Sequence, residues 1–114
     1  MNENYLDSDG YPTDSVLGVI ESWDSFEKDP HELMALIKRL WNYAEWGWNE
    51  EEVQDDFVMG HFCPCIDYHI STAGWSGNED LIRALKNNKH HFWAIYWKQS
   101  NRGGHYIIQI PIKK

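Results

Sequence analysis

The stretch Ser71-Thr72-Ala73-Gly74-Trp75-Ser76-Gly77-Asn78-Glu79-Asp80 marks a junction between a β-strand and an α-helix. On its N-terminal side, Ile66, Tyr68 and Ile70 alternate with polar residues, which is the period of a half-buried strand. On its C-terminal side, apolar residues at helical spacing predict a helix over residues 77–87. Backbone amides at such a junction carry a partial positive charge, which suits an anion or a carbonyl oxygen.

Two further helices are predicted in the first half of the chain. Pro12-Thr13-Asp14 opens the first, with its Thr or Asp as the N-cap, and residues 1–11 before it form a flexible segment. Asp29-Pro30-His31-Glu32 opens the second with a cap, a first-turn proline and a glutamate three residues past the cap. An apolar stripe then carries this helix to about residues 44–47.

The other segments are assigned from weaker patterns. Residues 45–60 are predicted to be an irregular, acidic and partly exposed segment, although a short helix also fits. Residues 91–99 predict a strongly aromatic strand, Asn101-Arg102-Gly103-Gly104 supplies a turn, and residues 105–110 return as the partner strand of a hairpin. The strand at 66–71 pairs beside either member of this hairpin, so the strand order stays open.

These elements predict an α+β fold of two layers. About three helices pack on a small, mainly antiparallel, three-stranded sheet that ends in a C-terminal hairpin. A chain of 114 residues is large enough for one core, so residues 12–114 are expected to form a single domain.

The charge of the chain is unevenly distributed. The net charge is −8, yet residues 1–60 hold fifteen acidic residues against three Lys or Arg, whereas residues 61–114 hold three against seven. This acidity argues against general nucleic-acid binding, which depends on clustered Lys and Arg. No apolar run reaches the length of a membrane span, and the acidic, polar N-terminus does not have the pattern of a secretory signal. We therefore expect a cytoplasmic protein that does not enter the membrane.

The strand–helix junction and the predicted hairpin turn are the candidate ligand or partner site. Ser76 and Glu79 fit a capping box. Trp75 stands on a loop between two glycines, either as a lid on the core, as a stacking platform for a ring or as a contact for a partner protein. Arg102 could bind a carboxylate or phosphate through two parallel hydrogen bonds. The candidate residues are Ser71, Thr72, Gly74, Trp75, Ser76, Gly77, Asn78, Arg102, Gly103 and His105.

Catalysis and metal binding have less support in the sequence. If the hairpin and the strand at 66–71 share a sheet, its polar face collects Asp67, His69, Ser71 and His105, which could serve acid–base chemistry. The run from His61 to His69 offers four zinc ligands, but Cys63 and Cys65 are separated by only one residue. We expect no cofactor and no bound metal.

Three motifs carry a resemblance to a known family. They are Ser71-Thr72-x-Gly74-Trp75-Ser76-Gly77-Asn78-Glu79, Phe92-Trp93-x-x-x-Trp97 and Arg102-Gly103-Gly104-His105-Tyr106. Together they resemble an uncharacterised family of small bacterial and phage-borne proteins. The resemblance covers about residues 66–110 and implies a stand-alone domain, in the setting of a phage or another mobile element.

Two functions from different classes remain. The first is a protein-binding inhibitor of the immunity or anti-defence type, whose acidic surface captures a basic partner such as a nuclease. The alternative is a small-ligand domain that holds an anion or nucleotide with the 71–80 loop and Arg102. The oligomeric state stays open. The acidic partner surface is predicted at Trp46, Trp48, Glu50, Glu51, Glu52, Asp55 and Asp56.

Overall fold

The computed structural model describes residues 5–58 and 61–112. Within them the chain forms five helices and four strands, and none of these helices has the length and apolar character needed to cross a membrane. The elements are α1 (Asp14–Ser22), α2 (Pro30–Leu40), α3 (Ala44–Gly47), β1 (Trp48–Val58), β2 (His61–Ser71), α4 (Ser76–Lys86), α5 (Phe92–Tyr96), β3 (Trp97–Asn101) and β4 (His105–Pro111).

The four strands form one antiparallel sheet in the order β1-β2-β4-β3. The long strand β2 therefore lies between β1 and the C-terminal hairpin, and among the described residues β1 and β3 are the edges of the sheet. The predicted α+β class is confirmed, with one strand more than expected and with two additional short helices, α3 and α5.

The hydrophobic core lies between the helices and one face of the sheet. Tyr68 and Ile70 of β2 and Ile108 and Ile110 of β4 share this face, because directly paired residues of neighbouring strands point to the same side. Facing them are fully buried residues of the helices, which include Val16, Ile20, Leu33, Ile37, Leu81, Leu85 and Phe92. The opposite face of the sheet, as far as its residues are described, lies outside this cluster, and we call it the open face.

The caps predicted for the first two helices are confirmed. The Thr13 hydroxyl accepts a hydrogen bond from Val16 N at 3.4 Å, and the Asp29 carboxylate accepts one from His31 N at 2.9 Å. Pro30 occupies the first position of α2, where a missing N–H costs no helical hydrogen bond. Capping residues that are adjacent in sequence therefore determine where both helices begin.

Two segments and the end of α2 were predicted wrongly. Helix α2 ends at Leu40, because Trp41 is extended, and residues 44–47 form the separate helix α3. Residues 48–58 form strand β1, and not an irregular stretch, because they pair with β2 from Trp48 opposite Ile70 onward. The aromatic segment begins as helix α5, and only Trp97 and the residues after it form β3. Phe92 and Tyr96 are four residues apart, so the helix puts their rings in contact with centroids 4.9 Å apart.

The part of the N-terminal segment that is described folds back on itself. Leu6 and Pro12 form an isolated antiparallel bridge, and Asp7 Oδ1 accepts hydrogen bonds from Asp9 N and Tyr11 N. Tyr11 is thereby placed against the junction between β2 and α4.

Candidate functional site

The strand–helix junction and the hairpin turn lie side by side. Thr72 N donates to Gly104 O at 3.0 Å, and Ser71 is paired with His105 across β2 and β4. Gly104 has a positive φ of 79°, and a Cβ on it would collide with the Thr72 hydroxyl. Glycine at this position therefore allows the close approach of two segments that are far apart in sequence.

Trp75 packs against the N-terminal segment. Its ring centroid lies 4.7 Å from that of Tyr11, and its six-membered ring covers Gly77, where any Cβ would overlap it. The side chain is half-buried. Trp75 therefore folds back onto its own helix and the N-terminal segment, and it is not one of the residues packed against the hydrophobic core.

The predicted capping box is absent. Trp75 is the N-cap of α4 and makes no side-chain capping bond, while Ser76 is the first residue of the helix. The Ser76 hydroxyl instead donates to Tyr11 Oη at 2.9 Å. The cap lies one residue earlier than predicted, so the Ser76 side chain is used to hold Tyr11.

Asn78 is fully buried and fastens two segments together. Its Oδ1 accepts from Asn42 N, and its Nδ2 donates to Asn42 O, both at 2.9 Å. Nδ2 also approaches Thr72 O at 3.3 Å. Asn78 therefore connects α4 to the residue after the end of α2 and to the β2–α4 junction.

Arg102 is exposed in the β3–β4 turn, where Gly103 and Gly104 after it both have positive φ. A cleft lies on each side of this turn, and neither Arg102 nor Trp75 lines either of them. Trp75 and Arg102, which belong to the same predicted site, therefore share neither of the clefts that flank the turn.

The open face of the sheet carries a polar cluster. Asp67 is only 3% exposed, and its carboxylate accepts from Lys98 Nζ at 2.7 Å and from Gln109 Nε2 at 2.9 Å. Beside it, His69 Nε2 lies 3.1 Å from Glu51 Oε1. As predicted, the hairpin and β2 share a sheet, and pairing places Asp67, His69, Ser71 and His105 on one face.

One subset of this cluster has the composition of a metal site. One potential ligand atom from each of Glu51, Asp67 and His69 lies within 4.8 Å of the others. The Lys98 ammonium, however, already supplies a positive charge at the Asp67 carboxylate. A metal ion bound there would have to displace Lys98 or tolerate its repulsion. Of the other three candidate zinc ligands, Cys65 is buried in β2 and is not part of this group, and the side chains of His61 and Cys63 lie outside the described residues.

A cleft of about 320 Å³ opens at one end of the open face, and we call it the open-face cleft. His69, Ser71 and His105 line it together with Asn49 and Asn101. Of these, Ser71 and His105 were predicted as site residues, and His69 was considered only as a member of a possible catalytic set. The two asparagines were not, because nothing in the local pattern marks them.

Trp46 forms the aromatic rim of this cleft. Its side chain is 62% exposed, and its ring stacks on that of Tyr43, with centroids 5.8 Å apart and an interplanar angle of 29°. Tyr43 is the N-cap of α3 and has a left-handed φ of 66°. An exposed, supported indole is a typical contact residue in protein interfaces.

The predicted acidic surface follows the edge strand β1. Glu50, Glu51 and Glu52 are all exposed, and strand alternation sends Glu51 to the open face and the other two to the opposite face. Trp48 is 5% exposed, so its ring is part of the core and not of the surface; its Nε1 donates to Glu50 at 2.9 Å. The side chains of Asp55 and Asp56 lie outside the described residues.

A second polar contact lies on the core-facing side of β2. His31 Nε2 lies 2.8 Å from Pro111 O, which can only accept, so Nε2 carries the proton in this arrangement. In the neutral imidazole, Nδ1 then accepts from the Tyr68 hydroxyl at 2.6 Å. Burial raises the pKa of Tyr68 well above its ordinary value, and the charges of Glu50 and Asp29 add to the effect.

Lys98 and His31 are polar residues that no sequence pattern singled out as site residues. Lys98 reaches Asp67 because the β3–β4 register shifts between Trp97 and Gln99, and no local sequence pattern predicts that shift.

No family model, curated protein or solved structure matches this chain.

Proposed function

We propose that this protein binds a basic protein partner through the edge of β1, as an inhibitor of the immunity or anti-defence type. The observation that supports the proposal is that the predicted acidic segment is an edge strand. Glu50, Glu51 and Glu52 are consecutive and exposed there, so negative charge lies on both faces and along the rim of the sheet.

Electrostatics favours such a partner at the stage of encounter. The chain carries a net charge of −8, and fifteen of its eighteen acidic residues lie in residues 1–60. Opposite charge on a partner accelerates diffusional association and suppresses binding of other acidic proteins. Because the acids on β1 are exposed, their effect on affinity is expected to depend strongly on salt.

The same edge offers anchors for a stable complex. Trp46 and Tyr43 form an exposed aromatic stack immediately before β1. In addition, β1 has a strand neighbour on only one side among the residues described, so its outer edge can accept a strand from a partner. Charge would then guide the encounter, and ring contacts with backbone pairing would hold the complex.

The alternative, a small-anion or nucleotide domain built on the 71–80 loop and Arg102, has no comparable observation. Trp75 is packed on Tyr11, Asn78 is engaged with Asn42, and Arg102 lines neither of the clefts that flank its turn. Stabilisation by phosphorylated ligands that disappears in Arg102→Ala would favour this alternative over the protein binder.

The experiment that tests the proposal measures affinity for a basic protein captured with the full chain. The test variant is Glu50→Gln/Glu51→Gln/Glu52→Gln, in which the amide oxygens at positions 50 and 51 keep acceptors for Trp48 and His69. The control Asp9→Asn/Asp14→Asn/Glu27→Gln removes the same charge from exposed positions elsewhere. We expect the test variant to bind at least about tenfold more weakly, which is ~1.4 kcal/mol. Equal weakening in test and control variants would contradict the assignment to β1.

A further inference from the structure

We propose that the open-face cleft is a pocket for a single arginine side chain of the basic partner. This inference rests on the proposed function and adds to it a specific contact, since the acids of β1 alone would not distinguish arginine from lysine. Three features of the cleft support it, namely its aromatic rim, its hydrogen-bond acceptors and its charge.

The aromatic rim offers a surface for stacking. Trp46 lines the cleft, and the stacked Tyr43 supports one side of its ring while 62% of the side chain stays exposed. A planar guanidinium stacks on an indole face and is attracted by its π-electrons, and Trp is the best aromatic partner for this contact. A Trp ring already supported by a second ring loses little conformational freedom on binding.

The walls of the cleft offer acceptors that the fold does not use. Among the described residues, the side chains of Asn49 and His105 make no hydrogen bond, and the Ser71 hydroxyl only accepts from Ala73 N at 3.4 Å. Guanidinium has five donors and no acceptor, so it matches an amide oxygen, a hydroxyl and an unprotonated imidazole nitrogen. An ammonium has three donors around one point and cannot bridge separated walls in the same way.

The charges around the cleft favour a cation. Glu51 extends from β1 onto the open face beside His69, and Glu45 is exposed next to Trp46. Of the nearby cations, Lys98 is paired with Asp67, which leaves Arg102 in the adjacent turn as the main opposing charge. The volume of about 320 Å³ suits one long side chain and not a folded element.

The test compares two synthetic peptides of equal length and charge, one with arginine and one with lysine at every basic position. Binding of each is measured by calorimetry to the full chain, to Trp46→Ala and to the control Trp97→Ala. Trp97 is also exposed, at 44%, but does not line the cleft. We expect wild type and the control to prefer the arginine peptide roughly tenfold, and Trp46→Ala to lose this preference.

The outcomes separate the two proposals. Equal affinity of wild type for both peptides, or an arginine preference that survives in Trp46→Ala, contradicts the arginine pocket. Neither result contradicts the proposal that the partner binds at the edge of β1. Failure of both peptides to bind overturns the pocket and the proposed function together. A second variant, His105→Ala, removes an acceptor from the cleft, and His91→Ala is its control at another exposed position. Loss of preference in the first variant alone supports the pocket, and equal behaviour of the two contradicts it.

Discussion

Asn78 and Asn42 are joined by a reciprocal pair of hydrogen bonds. The Asn78 side-chain amide accepts from Asn42 N and donates to Asn42 O, both at 2.9 Å, and the Asn78 side chain is fully buried. One side chain thus satisfies both backbone groups of a residue just beyond the end of α2. Asn78 was predicted as a binding residue, and this geometry gives it a structural task.

Asn78→Ala is expected to destabilise the fold by about 3 kcal/mol, because it leaves two backbone groups of Asn42 without their partner. Chemical denaturation measures this loss as a change in the free energy of unfolding. Ser76→Ala is a suitable control, since it removes an exposed hydroxyl in the same helix. A loss no larger than that of the control would contradict the role assigned to Asn78.

Two glycines in helices are expected to respond to alanine in opposite directions. A Cβ on Gly77 would overlap the Trp75 ring, so Gly77→Ala should force this ring from its place and cost about 1–3 kcal/mol. Gly18 is an exposed position of α1 with no atom within 4 Å of a Cβ, so Gly18→Ala should stabilise by up to about 1 kcal/mol. Thermal denaturation of both variants compares them directly, and the same sign of effect would be inconsistent with the packing of Trp75.

The effects of substituting Asp67 and Lys98 on the free energy of unfolding are expected to be non-additive. Lys98→Met leaves the buried Asp67 carboxylate without its counter-charge, which should cost about 3 kcal/mol. Asp67→Asn/Lys98→Met carries no charge at this position and should be more stable than Lys98→Met alone. Urea unfolding of the single and double variants supplies the comparison. A double variant less stable than Lys98→Met would show that the pair does not act as a charge pair.

Stability is expected to fall in alkaline solution because of Tyr68. Its raised pKa means that the folded state retains a phenol proton that the unfolded state releases above a pH of about 10. The contribution is fully present below that pH and is lost as the pH rises further. Tyr96, whose pKa is raised by burial and by Asp29, acts in the same direction.

Tyr68→Phe should therefore flatten the dependence of stability on pH above about 10, and Tyr68→Phe/Tyr96→Phe should flatten it further. Thermal denaturation between neutral and alkaline pH provides the profile for each protein. An alkaline slope as steep in Tyr68→Phe as in wild type would rule out this origin.

Where local signals decide structure, the sequence predicted it well. The Asp29 cap and Pro30 place α2, and the alternation of Ile66, Tyr68 and Ile70 places β2. The hairpin turn follows from Gly103 and Gly104, which both adopt the positive φ that glycine tolerates. In each of these cases the residues that specify the element belong to the element itself.

Where contacts between residues far apart in the chain determine an element, local sequence patterns did not predict it. Strand β1 has the acidic Glu50 on the same face as the buried Trp48, so its own pattern does not indicate a strand, and pairing with β2 stabilises it. The aromatic residues of α5 fit either a helix or a strand, and the burial of Phe92 selects the helix. The open-face cleft is equally non-local, because Asn49 and Asn101 enter it from the two outer strands.

The most direct test of the acidic-edge account is an NMR titration of the isotope-labelled protein with the arginine peptide. Amide shifts along residues 48–54 of β1, with a shift of the Trp46 indole N–H, are the predicted result. Shifts confined to the 71–80 loop and the turn around Arg102, with β1 unperturbed, would contradict it.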